Sequence, residues 1–442
     1  MSKDAMKSHC DNWSLSQWLC YLETIHNQEI DLGLSRISQV ATKLNINLNF
    51  AKVITVAGTN GKGTTCAFIE NYLLAAKQTV AVYSSPHIER FNERLRINKV
   101  DVEDQPWLSA LAAVELARAD ISLTYYEFTT LAGLFILQQQ QPDFIILEVG
   151  LGGRLDATNM VDADIAVVTS VDLDHQAFLG DTRELIGFEK AGIFRPEKPA
   201  IVGEPNMPQS VAKQAFNIGA KLLARGRAFD ICQQDTSWQW QTTQRDKNAS
   251  DELNFTGLKP PYIPMDNVAT ALMVLAELNL QLSAERINQV IEMTKVAGRT
   301  EIFQPTSHEG YQCDIMLDVA HNPHAAKHLA KTIKRLGYQK VHAVVGMLKD
   351  KDIRATLVEL SDCVDSWYFA SLSGARAASA QEINSLADKL ALDGNCFDNV
   401  EHAFTMAKNS ANADELVLVF GSFFTVAEVR PALVGSLRAI GE

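Results

Sequence analysis

No apolar run in these 442 residues approaches the ~18 that a membrane-crossing helix needs, which argues against membrane-spanning helices. The N-terminal string MSKDAMKSHCDNW carries charges where a secretory signal would carry an apolar core, so a cytoplasmic protein is expected. Cysteine is sparse. Its seven copies (Cys10, Cys20, Cys66, Cys232, Cys313, Cys363, Cys396) are scattered, odd in number and never spaced as CxxC, which signals neither a disulfide framework nor a zinc knuckle. Positive charge is in deficit: 40 Lys plus Arg stand against 53 Asp plus Glu, for a formal charge of −13. Such a field repels nucleic acid and anionic membranes, so neither is expected as a partner, and an anionic substrate would need local positive contacts. Internal repeats and low-complexity segments are also lacking.

What is present reads as a soluble globular chain, 47% hydrophobic and 21% charged. At ~100–200 residues per domain the length suggests two or three units. Strand-like and helix-like segments alternate, the pattern of a parallel α/β sheet. The spacing predicts strands at 52–57, 79–84, 143–150 and 164–171, and helices at 62–76, 104–119, 127–140, 182–193 and 265–280. Strand patterns recur at 313–320, 340–347, 365–371 and 415–422, as a separate doubly wound unit. Residues 230 to 264 are polar, rich in Gln and Trp, and read as a β-rich excursion that returns to the helix DNVATALMVLAEL. The glycine of KVAGRTE (295–301) marks the expected hinge, with domains at 1–296 and 297–442.

The stretch ITVAGTNGKGTT (54–65) is a buried strand that breaks into glycines and re-emerges as a helix, which gathers free backbone N–H groups and a helix N-terminus at one point. That arrangement favours phosphate. Lys62 would reach a terminal phosphate, and Thr64 or Thr65 could hold a magnesium ion. The pattern departs from GxxxxGK[ST]: Gly58 and Gly61 enclose only two residues, and Gly63 separates Lys62 from the hydroxyl.

Neighbouring motifs supply charge. ILEVGLGGRLDATN (146–159) ends an apolar strand in Glu148, either a second magnesium contact or a buried structural carboxylate, followed by a Gly-Gly turn, Arg154 and Asp156. TSVDLDHQAFLG (169–180) puts His175 in a loop of the same rim, although a lone histidine is more often structural. SSPHIERFNERLRIN (84–98) presents Ser84 and Ser85 with Arg90, Arg94 and Arg96, which could equally be a solvated face. GFEKAGIF (187–194) embeds Lys190 in apolar surroundings, where an unpaired ammonium is costly and needs a partner.

Taken together, AGTNGKGTT, YSSPH with NERLRI, LTYYEF, ILEVGLGGRLDATN, EKAGIF, GRTE, LDVAHNPHA, GMLKDKD and VFGSF resemble the folylpolyglutamate synthetase family, in its bacterial bifunctional dihydrofolate synthase branch. The strings run in order from about residue 30 to 425. The related muramyl-peptide ligases carry GTNGKT, without the extra glycine seen here as Gly63. The resemblance implies a Mur-ligase-like fold, with an N-terminal P-loop-type ATPase domain and a smaller Rossmann-like C-terminal domain.

It also implies roles. Gly58, Thr59, Asn60, Gly61, Lys62, Gly63 and Thr64 would bind ATP phosphates, with Asn267, Arg299, Asp318 and His321 as further ATP contacts. Ser85 and Glu148 would ligate one magnesium ion, and Glu148 and His175 a second. Lys190 would be carbamylated, which turns its ammonium into an anionic oxygen ligand. Lys62, Glu148, His175 and Lys190 form the expected catalytic set. The pterin would lie against Asp31, Gly33 and Leu34, against Thr124, Tyr125 and Tyr126, and near Arg154 and Asp156. ATP, two magnesium ions and a potassium ion are the implied cofactors; dihydropteroate, reduced folates and L-glutamate the substrates; a monomer the implied state. The implied reaction is an amide ligation through an acyl phosphate, with the two domains closing over ATP. Alternatives at this stage are a single-function folylpolyglutamate synthase, a muramyl-peptide-type ligase and a non-enzymatic nucleotide switch.

Overall fold

The computed structural model describes residues 13–243, 252–305 and 312–438. Cys10 and all but the last residue of the N-terminal string lie outside them. Contacts cluster into two units, Met1–Pro261 with Met265–Thr294, and Tyr262–Pro264 with Lys295–Glu442.

The first unit is built on β1 (Lys52–Ala57), a run of β-branched and small residues buried on both faces. Around it an eight-stranded sheet forms in the order β4-β3-β2-β5-β1-β6-β7-β8, where β2 is Val80–Tyr83, β3 Leu95–Ile97, β4 Val100–Asp101, β5 Phe144–Glu148, β6 Ile165–Val168, β7 Pro199–Val202 and β8 Lys221–Ala224. From β2 across to β8 every pairing is parallel, and β3 and β4 turn antiparallel at one edge. Because β1 is hydrogen-bonded to both β5 and β6 while the chain proceeds from it to β2, its carboxyl end is a topological switch point. The helix Lys62–Ala75 follows β1 and is buried over most of its length, packed against the helices Met265–Glu277 and Ala284–Met293.

Three strands, Phe229–Gln233, Trp238–Thr242 and Asn254–Leu258, form an antiparallel sheet. Its two tryptophans are fully buried. The Trp240 indole donates to Ala269 O (3.0 Å) and that of Trp238 to Lys259 O (2.8 Å). Trp240 thereby fastens the excursion to the helix that carries Asn267.

The second unit holds a six-stranded sheet: Glu301–Phe303 antiparallel at one edge, then Asp314–Asp318, Leu416–Phe420, Val341–Val345, Ser366–Ala370 and Gly394–Phe397, all parallel. Continuous apolar runs such as LVLVF are buried along their whole length, as expected for strands covered on both faces. The GRTE segment is no free linker. Gly298 N donates to Glu301 Oε2 (2.8 Å), Val319 N to Gly298 O (2.9 Å), and Glu301 pairs with Arg430 (2.9 Å).

Candidate active site

Four carboxyl strand ends of the first unit supply the rim: the glycine loop after Ala57, Ser84 and Ser85 after Tyr83, Glu148 at the close of β5, and residues 169–175 after Val168. The loop is strapped to the fourth of these. Thr59 N donates to Ser170 O (2.9 Å), the Thr59 hydroxyl to Asp172 O (3.0 Å), and the Thr169 hydroxyl to Asn60 O (2.6 Å). These contacts immobilise a loop that polar side chains alone would leave free. Lys62 folds back, its Nζ donating to Gly58 O (3.0 Å).

Gly61 caps the following helix at φ +87°, and a Cβ there would fall 2.5 Å from Asn267 Oδ1. Only glycine fits. Asn267 Nδ2 donates to the Thr64 hydroxyl (2.8 Å), so helix Met265–Glu277 and the phosphate loop are locked together. A Cβ on Gly63 would stand 3.7 Å from both carboxylate oxygens of Glu148, an ordinary contact distance, and Glu148 as a residue is 7% exposed. The start of the phosphate-loop helix thus lies beside the Glu148 carboxylate.

Lys190 is 4% exposed, and no hydrogen bond or ion pair engages its Nζ among the described residues. Burial, reinforced by the positive charge of Lys62, pushes its ammonium down to about 7, while Asp174 and Asp156 act the other way. The Gly-Gly turn brings this about. A Cβ on Gly153 would meet Glu189 O at 2.9 Å and Lys190 O at 3.0 Å, so the turn packs directly on the helix backbone at Lys190. His175 takes φ +50° and donates its backbone N–H to Asp174 Oδ1 (2.8 Å).

The metal expectation bears on the donors around Glu148. Among the described residues no three His, Cys, Asp or Glu side chains cluster as a metal cage. Magnesium binds typically through one or two carboxylates plus substrate phosphates, and Glu148 beside the glycine loop suits that mode. Ser85 and His175 stand in the loops that follow β2 and β6 of the same sheet.

The residues expected against the pterin fall in two groups. Tyr126 OH lies 3.5 Å from Asp156 Oδ1, and Asp156 (2% exposed) also accepts from Leu151 N (2.9 Å), Thr158 N (3.0 Å) and the Thr158 hydroxyl (2.7 Å). Burial nevertheless pushes its carboxyl above the usual range. Elsewhere Asp31 pairs with Arg36 (2.6 Å), which reaches Glu127 (3.2 Å). Leu34 caps the next helix through its carbonyl, accepting from Ser38 N (3.0 Å), and Gly33 has open space around it. Thr124 has a structural duty that its motif obscured: it caps the helix Tyr125–Gln140, accepting from Glu127 N (3.1 Å) while Glu127 accepts from Thr124 N (2.8 Å).

The arginines divide in the same way. Arg96 is neutralised by buried Glu70 (2.8 Å) and Arg154 by Glu189 (2.9 Å). Arg90 is exposed. In the second unit Asp318, 8% exposed, accepts from Thr300 N (2.7 Å) and Ala320 N (2.8 Å); burial raises its carboxyl, and Arg299 opposes that. Arg299 lies over the Phe423 ring (5.0 Å), and His321 Nδ1 donates to Val319 O (2.9 Å). All three sit at the carboxyl end of strand Asp314–Asp318. Residues that motif reading passed over include Thr169, Ser170 and Asp172, which hold the loop, and Glu70, which pairs with an arginine 26 positions away. The first three stood inside a quoted motif; nothing local marks the fourth.

A switch-point phosphate loop, a carboxylate on the adjoining strand and a second α/β unit with its own polar rim define a nucleotide-dependent ligase of the Mur class. The Mur ligase middle domain matches residues 56–276, and the Mur ligase glutamate ligase domain matches 298–423. Within that class the chain belongs to the dihydrofolate synthase/folylpolyglutamate synthase family. It is 47% identical over 417 residues to the dihydrofolate synthase/folylpolyglutamate synthase of Escherichia coli, covering 94% of each chain, and 41% identical to that of Haemophilus influenzae, covering 94% of this chain and 96% of the other. Among solved structures, E. coli FolC in complex with DHPP and ADP superposes with a TM-score of 0.88 at 45% identity, over 96% of this chain and 99% of that one. The bifunctional enzyme from Yersinia pestis, complexed with AMPPNP and Mn ion, gives 0.87 at 48%, over 96% and 98%. No helix among the described residues is long and apolar enough to cross a membrane.

Proposed function

We propose that this chain joins L-glutamate to dihydropteroate, forming dihydrofolate, and to reduced folates, at the expense of ATP. The single observation that carries the reading is the strapped glycine loop beside Glu148. In this reading Gly58 to Thr64 bind the ATP phosphates through backbone N–H groups and the helix N-terminus, Lys62 bears on the transferred phosphoryl group, and Asn267, Arg299, Asp318 and His321 are further ATP contacts. Ser85, Glu148 and His175 are the residues that would hold divalent metal, with Lys190 as its carbamate. The metal would supply charge neutralisation at the phosphate oxygens. The N-terminal domain, read as 1–296, binds ATP and the pterin acid, and the C-terminal domain, 297–442, is the glutamate-ligase domain. The enzyme acts as a cytoplasmic monomer.

The chemistry follows from charge. A carboxylate oxygen of the pterin acid attacks the γ-phosphorus, ADP leaves, and a mixed anhydride forms. The glutamate amine then attacks the acyl carbon, and phosphate departs as the amide closes. No side-chain nucleophile is required; Lys62 and the loop N–H groups stabilise charge as it moves. Tyr126 and Asp156 orient the acid.

Phosphate release tests this, measured with ATP, magnesium and L-glutamate and with dihydropteroate, tetrahydrofolate or no acceptor. Release is expected with either acid and near background without one. Turnover of tetrahydrofolate alone would reduce the activity to folylpolyglutamate synthesis, and release indifferent to acceptor would exclude a ligase.

A further inference from the structure

Arg94 on the first unit's rim differs from two arginines near it in having no glutamate partner. Arg94 is 8% exposed, and no carboxylate pairs with it among the described residues. Arg96 and Arg154, by contrast, each hold a glutamate. The side-chain hydrogen bond found for Arg94 runs from Nε to His87 Nδ1 (3.0 Å). Rings of Phe91 (5.6 Å) and Tyr125 (5.4 Å) flank the guanidinium. Its charge acts on the hydroxyls of Tyr83, Tyr125 and Tyr126, the last of which reaches Ser85 and Asp156.

A buried guanidinium without a counterion is unfavourable, and the flanking aromatic faces offset only part of that. A fold that retains it has a use for the remainder. The His87 contact also sets direction. A guanidinium is always protonated and can only donate, so Nδ1 of His87 must be a bare acceptor and the ring proton sits on Nε2. With Nε engaged, the terminal nitrogens of Arg94 point away from His87 in a fixed plane, the geometry that meets a carboxylate through two parallel hydrogen bonds.

We propose that Arg94, aimed by His87, receives the carboxylate of the pterin acid, the group that becomes phosphorylated. This rests on the reading that places that acid against Tyr126 and Asp156. Arg94 is then the local positive contact that a chain of charge −13 requires for an anionic substrate, and His87 is a positioning residue.

The test compares dihydropteroate with its carboxamide, which keeps the pterin and ring but lacks the charge. In Arg94→Gln the KM for dihydropteroate should rise roughly 30-fold or more while the KM for ATP stays within about twofold. The inhibition constant of the carboxamide should change little, so the preference for acid over amide collapses. His87→Ala should show a smaller loss of the same preference, and His87→Asn, whose amide oxygen can accept from Nε, should recover most of it. Equal weakening of acid and amide in Arg94→Gln, or no change in either, would overturn the assignment. Should Arg94→Gln fail to fold, the His87 pair decides, since identical behaviour of His87→Ala and His87→Asn overturns it equally. Native enzyme that ignored dihydropteroate would instead sink the functional reading, so the two failures are distinguishable.

Discussion

Lys62→Ala is expected to lower kcat for ADP formation by about a thousandfold or more, the scale associated with losing a cation that stabilises phosphoryl-transfer charge. The structure explains why little else should change. Among the described residues Lys62 Nζ donates only to the carbonyls of Gly58 (3.0 Å) and Thr59 (3.4 Å), which water can serve in its absence. The loop itself is held by Ser170, Asp172 and Thr169 rather than by the lysine. Thermal stability should therefore fall by less than ~1–2 kcal/mol. A folded Lys62→Ala protein with native turnover would remove the loop from the chemistry.

Lys190 carries the second large effect. As a carbamate it would supply anionic oxygen where an ammonium is penalised, so Lys190→Ala should lose at least ~100-fold in kcat. Millimolar acetate should restore part of the loss, because a small carboxylate can enter the space and replace the missing oxygens. Full activity in Lys190→Ala without added carboxylate would contradict the role. Stability gives an independent reading. In buffer stripped of carbon dioxide the side chain is a plain amine whose folded value, about 7, lies below its ordinary 10.5. The unfolded chain then holds the extra proton between those values, so native stability rises with pH across that window and is lowest below pH 7. Lys190→Met removes the penalty. Its gain in melting temperature over the native chain should be largest below pH 7 and shrink as pH climbs towards 10.5, and a gain independent of pH would argue against a buried ammonium.

Much of this frame was readable from the residues because two-sided burial writes itself as unbroken β-branched runs. KVITVA and LVLVF needed no partner information to be recognised as strands. Short strands were harder. Pro199–Val202 opens on a proline, Lys221–Ala224 and Leu95–Ile97 lie at or near sheet edges, and none is long enough to show a period. The arginines of NERLR looked equivalent in the sequence and are not. Arg96 is cancelled by Glu70 from the phosphate-loop helix, a pairing that only the register of β2 with β3 and the helix above it could reveal. Thr124 offers the opposite lesson. Its Thr-x-x-Glu spacing is a local helix-start signal, and that role uses its hydroxyl whatever else the segment TYYE contacts. The strap from Thr59 to Asp172 spans 113 positions and depends on β1 and β6 lying side by side, which spacing alone does not specify.

The most direct measurement follows an oxygen atom. Dihydropteroate carrying a heavy oxygen isotope in its carboxylate is turned over with ATP and L-glutamate, and the released phosphate is analysed by mass spectrometry. Transfer through an acyl phosphate places one carboxylate oxygen in that phosphate, so label should appear there in proportion to product. Phosphate without label, formed at the same rate as the amide, would mean that water takes the phosphoryl group and that the acid does not pass through an acyl phosphate.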